Sequence, residues 1–480
     1  VSTVDRDQAA TETQVAAPLR LRTLLRPMSG LMIAQFVAAL SATIVATSIP
    51  TITTTLEGPA SAATWLVAAT ILGNTATTPI WGRLCDLYPP KRIVLVGILI
   101  FVIGSALAAL SPSTAVLLAA RALQGIGLGG IHLGATVVVA GLVAPRERGR
   151  ANSLLQSMNT TGTLLGPIVG GVIVEFVGWR WSFFVSLPVA AIAVAVILWT
   201  LPTVAAVVSG ARTDYAGAAL IATGIPAFLI ALTMVGDGGF TPVAMIFGGY
   251  GVLAIIALVI VELRMEAPVV PLRALGDRIP LLCSIAAFLL GSTMFGGSVF
   301  ITQYLQLGLG VEPALAGLLL APMAIGSVCS AWISGRLISR SGRVRPVLLL
   351  GVSLILSGNV LIAVSPLAPM PLALAGAFLL ASGLGMGLQN LVLVAQTVAP
   401  PGRIGSVSSI ISFFFALGGT VGLVAYGAVL TARIASLGAV PVSVQYALGM
   451  PTVFAVSASA VLVGLAAILF LPNVRLRSTL

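Results

Sequence analysis

The chain has 480 residues, of which 58% are hydrophobic and 8% charged, and its mean hydropathy is +1.12, whereas soluble globular chains carry roughly a quarter charged residues. This composition excludes a water-soluble enzyme and points to an all-α polytopic membrane protein. The formal net charge of +11 must therefore be read by where the basic residues fall before it is taken as a sign of nucleic-acid binding.

Residues 1–26 are polar, lack an apolar core followed by a cleavage site, and are expected to form a cytoplasmic N-terminal tail, with the first span as insertion signal. A hydrocarbon core of roughly 30 Å takes about 20 apolar residues per helix, and only helices or closed barrels satisfy the backbone inside it. Apolar runs then predict fourteen transmembrane helices, at 28–50, 65–84, 93–110, 114–142, 151–175, 181–201, 214–235, 242–262, 280–305, 313–335, 346–364, 370–398, 404–430 and 450–471. With both termini cytoplasmic, all but three of the 24 lysines and arginines fall on the inner side. Arg180 and Arg433 fall outside, and Arg121 stands within a span. That asymmetry is what the positive-inside rule predicts for a multi-pass protein of the plasma (inner) membrane. It accounts for the net charge and removes the case for a nucleic-acid partner.

Two internal matches indicate a duplication. "GNTATTPIWGRLCD" from Gly73 pairs with "GSVCSAWISGRLIS" from Gly326, and "VAPRERGRANS" from Val143 pairs with "VAPPGRIGSVSS" from Val398, at offsets of 253 and 255. The expected organisation is a six-helix bundle at 27–202, a two-helix insertion with cytoplasmic linkers at 203–279, a second six-helix bundle at 280–472 and a cytoplasmic tail at 473–480. Duplicated helical bundles of this kind usually carry a substrate site near the midplane where the halves meet.

In chain order, "GRLCDLYPPKR" (82–92), "RALQGIGLGG" (121–130), "GTLLGPIVGG" (162–171) and "GWRW" (178–181) resemble the signatures of the major facilitator superfamily. The 6+2+6 arrangement is similar to its 14-helix drug:proton antiporter branch. In the first motif Gly82 allows close helix approach, and Asp86 with Arg83, Lys91 and Arg92 places charge at the cytoplasmic mouth. The resemblance implies a conformational latch on Gly82, Arg83, Asp86 and Arg92. Pro89 stands where the family usually has glycine. The second copy, "GRLISRSGR", has Ser339 for the acid, so only the first half is expected to form the full latch. Gly162, Gly166, Gly170 and Gly171 lie on a helix that also carries Pro167. Small residues at i and i+4 let backbones meet in lipid, and the family associates this signature with antiporters. Trp179 and Trp181 around Arg180 suit an outer interface.

Arg121 is the clearest basic residue within a span, where an ionised group is by default functional. The resemblance links it to proton coupling. His132 follows eleven residues later, within about 20° of the same helical face, and its ordinary pKa lies near neutrality. Where family members commonly carry an acid in the first helix, this chain has Ser41. The remaining acids near membrane depth, Asp86, Glu175, Asp214 and Glu262, lie near predicted span ends; Glu175, close to Arg180, is the most plausible proton site among them. Gln35, Ser41, Asn74, Gln124, Gln156, Asn159, Gln303, Gln389 and Asn390 are candidates for a polar cavity lining.

Without a midplane carboxylate, that cavity should be neutral to positive and should favour neutral or anionic amphipathic substrates. The sequence offers no nucleophile elbow, phosphate loop or metal-spaced histidine set, and no cofactor or metal is expected. The reading is a monomeric, non-enzymatic secondary transporter in the lipid bilayer, exporting amphipathic small molecules in exchange for protons by alternating access. A lipid or lipoconjugate exporter is one alternative. A membrane scaffold or sensor that has lost transport together with the first-helix acid is another.

Overall fold

The computed structural model describes residues 21–57, 62–202, 214–239, 241–265, 268–270, 272–400, 402–438, 440–474 and 476. The expected tail at 1–26, the linker before residue 214 and the C-terminal tail fall largely outside them. Among the described residues the regular structure is helical: α1 (Leu21–Thr55), α2 (Ala62–Leu87), α3 (Pro90–Ala109), α4 (Thr114–Leu142), α5 (Pro145–Phe176), α6 (Ser186–Thr200), α7 (Tyr215–Gly238), α8 (Pro242–Arg264), α9 (Arg278–Gln303), α10 (Pro313–Ser341), α11 (Arg345–Ala363), α12 (Pro369–Gly385), α13 (Leu388–Val398), α14 (Ile404–Leu437) and α15 (Val442–Leu469). A single turn, Trp181–Phe184, precedes α6, and a π-helical turn, Tyr304–Gly308, extends α9.

The boundaries follow local chemistry. Proline opens α3, α5, α8, α10 and α12, a position where its missing N–H costs nothing. Ser113, Asp214 and Thr241 cap α4, α7 and α8 by accepting from backbone N–H groups two to three residues into the helix. Gly342, with φ of 66°, stops α10 in the left-handed conformation.

Among the described residues, eleven segments are long and apolar enough to cross a membrane. Three predicted spans are not among them: 65–84 on α2, 151–175 on the more polar α5, and 214–235, where the apolar stretch of α7 runs only from Ala216 to Leu232. The predicted span 370–398 is interrupted at Met386–Gly387 between α12 and α13. Large apolar side chains such as Trp199, Phe176, Ile246 and Leu318 are exposed. That would be a liability in water, but it suits a lipid-facing surface.

Packing separates two sets of helices. One group of buried clusters draws on residues 28–201, joining α1, α3, α4, α5 and α6. Another draws on residues 283–476, joining α9 with α11 to α15. A third cluster seats α7 and α8 across both: Leu72 and Ala76 of α2, Ile221 and Ile225 of α7, Leu258 of α8, Val269, Val270 and Ile410 of α14. The seam between α2 and α14 is therefore covered on one side by α7, with α8 packed against α7.

Candidate functional site

Arg121 is 1% exposed, and α4 aims it at α2. Its Nε donates to the Leu66 carbonyl at 3.1 Å and its Nη1 to Gln124 Oε1 at 2.9 Å. Gln124, itself fully buried, passes the network on: Nε2 donates to Ser105 Oγ of α3 at 2.8 Å and to Ser41 Oγ of α1 at 3.4 Å. Four helices thus meet on one guanidinium through neutral acceptors. Hydrogen bonds to a charged group contribute about 1.5–3 kcal/mol each, which offsets part of the desolvation cost of several kcal/mol that a buried ion carries. Ser41, at the position where an acid was looked for, sits at the far end of this relay, one amide away from the arginine.

His132 and Arg121 share no partner, although the helical spacing suggested a common face. His132 Nε2 lies 3.3 Å from Asn159 Nδ2 on α5, while Arg121 looks the other way, toward α2 and α3. Asn74 of α2 approaches α4 at Gly129. Glu175 is exposed at the end of α5. Arg180 donates to the Ser111 carbonyl at 3.1 Å and lies 4.3 Å over the Trp179 ring. Trp179 itself is buried against Phe183, and only Trp181 of the expected interfacial pair is exposed.

Of the remaining lining candidates, Gln35 is buried with Oε1 unpartnered, and so is Oε1 of Gln389. Gln156 and Gln303 are half-buried. Asn390 of α13 donates to Ser334 Oγ of α10 at 3.3 Å and to the Met386 carbonyl. Among the described residues no group of three or more His, Cys, Asp or Glu side chains converges as metal ligands would.

Two sets of contacts join the halves, both at the arginine-rich end. In the first, Asp86 near the end of α2 accepts from the backbone N–H groups of Gly405 at 2.7 Å and Ser406 at 2.9 Å, and from the Ser406 hydroxyl. The carboxylate thus caps the N-terminus of α14, where orphan N–H groups and the helix dipole both favour an anion. The approach depends on glycine: a methyl on Gly82 would collide with Ser409, and one on Gly405 would collide with the Gly82 carbonyl. Arg83 is buried beside Asp86 with Nε unpartnered. Arg92 is exposed and stands apart from this contact, and Lys91 turns instead to the carbonyls of Leu198 and Leu201 at the end of α6.

The second set uses the other copies of the same motifs. Arg146 at the start of α5 donates to the carbonyls of Ser339 at 2.6 Å and Arg340 at 2.5 Å, at the end of α10. Ser339 Oγ donates to Glu147 Oε1 at 2.7 Å, and Glu147 also pairs with Arg150 at 3.3 Å. Gly149 and Gly335 bring the backbones together, a methyl on Gly335 falling 2.8 Å from the Gly149 carbonyl. The second copy, which lacks the motif's acid, is thus joined by a contact of different make-up. Ser339 occupies the place of Asp86, but the carboxylate has moved to the partner helix as Glu147. Arg146 and Glu147 were in view in the "RERGR" match, yet nothing local signalled that they face the other half.

Gly162, Gly166 and Gly170 of α5 lie on one stripe. Methyls on Gly162, Gly166 and Gly170 would strike Phe36 O, Thr43 Oγ1 and Thr47 Oγ1 of α1, whereas one on Gly171 would meet nothing. Three of the four therefore let α1 and α5 touch. Pro167 is exposed, away from that face. Trp81, which the motif reading passed over, donates Nε1–H to the Ile126 carbonyl at 2.8 Å and clamps α2 to α4.

Residues 31–423 match the family model described as Major Facilitator Superfamily. Multidrug transporter protein MdtP of Bacillus subtilis (strain 168) is 31% identical over 87% of this chain and 76% of its own length. An uncharacterized MFS-type transporter of Mycobacterium tuberculosis (strain ATCC 25618 / H37Rv) is 30% identical over 86% of this chain; the match spans 61% of that protein. Among solved structures, the human organic anion transporter MFSD10 (TETRAN) superposes with a TM-score of 0.65 at 16% identity, covering 92% of this chain and 99% of that one.

Proposed function

The chain belongs to the major facilitator superfamily, and from that premise we propose that it is a proton-driven exporter of amphipathic small molecules, of the 14-helix drug:proton antiporter branch, working by alternating access. The observation that carries this reading is the pair of closures at the arginine-rich end. Asp86 with Gly405 and Ser406, and Arg146 and Glu147 with Ser339, join equivalent elements of two repeats. Two repeats that meet through separable polar contacts at one end can rock apart there. The six-helix bundles at 27–202 and 280–472, with α7 and α8 between them, are the moving bodies in this proposal. The arginine-rich end is cytoplasmic in the plasma membrane, and the state described is closed to the cytoplasm.

In this reading Arg121 is the fixed cation of the first half, held by Leu66 and Gln124, and Gln35, Asn159 and Gln389 belong to the polar interior. With a guanidinium and no first-helix carboxylate, the chamber favours neutral or anionic amphipaths over lipophilic dications. MdtP, named a multidrug transporter, supports small-molecule export as the general activity.

The test is dye export in proteoliposomes holding the whole chain, with carboxyfluorescein, ethidium and a dicationic dye, under an imposed pH gradient or none. The reading expects gradient-dependent export, faster for the anionic dye. A preference for the dication would overturn the charge argument, and indifference to the gradient would overturn the coupling. Movement of labelled lipid and not dye would favour the lipid-exporter alternative.

A further inference from the structure

Helix α10 turns one face outward along most of its length. Leu318, Ile325, Cys329, Trp332, Arg336 and Arg340 are all exposed, and at 100° per residue they fall within a stripe about 80° wide. The apolar part of that stripe faces lipid in a segment, Leu315–Ser341, long and apolar enough to cross a membrane. Its last two members are cations. Arg336 stands five residues before the end of α10 at Ser341, roughly 8 Å inside the helix end. Its guanidinium carbon lies 3.6 Å from the centre of the Trp332 ring.

Among the described residues neither arginine has a hydrogen-bond or ion-pair partner for its side chain. The charges across the contact with α5 are already committed. Arg146 takes the backbone carbonyls of Ser339 and Arg340, and Glu147 holds Arg150 and the Ser339 hydroxyl. A guanidinium stacked on an indole at a membrane interface is held in place but not neutralised. Its planar fork fits a phosphate, which it grips through two parallel N–H groups. An acidic protein segment would meet only the water-side end of this face. A phospholipid matches both parts of it, with a phosphate for the two cations and acyl chains for Trp332, Cys329 and Ile325.

We propose that Trp332, Arg336 and Arg340 form a headgroup seat for one anionic phospholipid of the leaflet at the arginine-rich end, its acyl chains lying along Cys329 and Ile325. Arg336 binds the phosphodiester, Arg340 meets the part of the headgroup nearer water, and Trp332 fixes the depth. The seat selects for net negative headgroups, because a zwitterionic one brings a cation of its own, which Arg340 repels. It depends on neither the substrate nor the driving force of transport.

The test uses the whole chain, purified in detergent and titrated with phosphatidylglycerol or phosphatidylcholine of identical acyl chains, with bound copies counted by native mass spectrometry. The native protein should take up its first phosphatidylglycerol well below the concentration at which phosphatidylcholine binds. Arg336→Gln combined with Arg340→Gln should weaken phosphatidylglycerol on the order of thirtyfold and leave phosphatidylcholine as it was. Trp332→Leu, which keeps the surface apolar, should weaken phosphatidylglycerol about threefold. Arg343, exposed but beyond the glycine that stops α10, is the control, and Arg343→Gln should leave both lipids unchanged. Equal binding of the two lipids to the native chain, a preference that survives the double change, or one lost as fully in Arg343→Gln would each overturn the seat. Loss of both lipids together in the double variant would overturn it too, since the contact would then rest on packing and not on the headgroup.

Discussion

The closures α2/α14 and α5/α10 grow from the same duplicated motifs yet are built from opposite chemistry. In the first, a carboxylate on the ending helix, Asp86, is 5% exposed and is saturated by the N-terminus of α14. In the second, the ending helix offers carbonyls and the Ser339 hydroxyl, and the starting helix brings the charges, Arg146 and Glu147, which are half-exposed. Duplication preserved the glycine contact that sets the distance between the helices. It did not preserve which partner carries the charge. A buried anion on a helix terminus is a strong, all-or-none bond, and a solvent-washed arginine on neutral carbonyls is a weak one. The first closure should therefore govern the equilibrium, with the second trimming it.

The largest expected effect is at Asp86. Removing it in Asp86→Ala leaves the buried N–H groups of Gly405 and Ser406 unpaired, at about 3 kcal/mol, which is on the order of a hundredfold in the population open at this end. Cys85 is a built-in reporter: it is buried beside Gly405. In a background with exposed Cys329 replaced by serine, maleimide labelling of Cys85 from the arginine-rich side should rise accordingly. An unchanged labelling rate would mean that the α2/α14 closure does not hold the closed state.

Arg146→Ala comes second. It removes two hydrogen bonds to neutral carbonyls in a half-exposed setting, worth about 1 kcal/mol, so Cys85 labelling should rise about fivefold. An effect equal to that of Asp86→Ala would show the two closures to be energetically equivalent and would remove the distinction drawn above.

How far the sequence reached into this picture follows from the range of each interaction. The helices, the duplicated "GRL" endings and the glycine stripe of α5 were legible because they depend on local composition and on small residues at i and i+4. The Arg121 face was not. Helical spacing put His132 on its side, but Leu66 and Gln124 hold the guanidinium, leaving His132 to Asn159, and side-chain direction of this kind is set by neighbouring helices. The approach of Asp214 and Glu262 to Gly217 was invisible for the same reason: 48 positions separate the two acids, and only the antiparallel return of α8 along α7 brings them to one glycine. Glu175 was chosen as an acid close to Arg180, and in the fold its side chain is exposed at the end of α5.

Ser339→Ala is the smallest change and the sharpest test of the comparison. It deletes one hydroxyl donated to Glu147 in a half-exposed contact, worth about 0.5 kcal/mol, or about a twofold rise in Cys85 labelling. Because Ser339 and Glu147 serve one bond, Ser339→Ala combined with Glu147→Gln should cost less than the two changes summed, whereas Ser339→Ala combined with Asp86→Ala should be additive, the sites sharing no partner. The opposite pattern, additivity within the α5/α10 contact and coupling across to Asp86, would mean that the two closures are one network, and that the difference in their chemistry has no separate mechanical meaning.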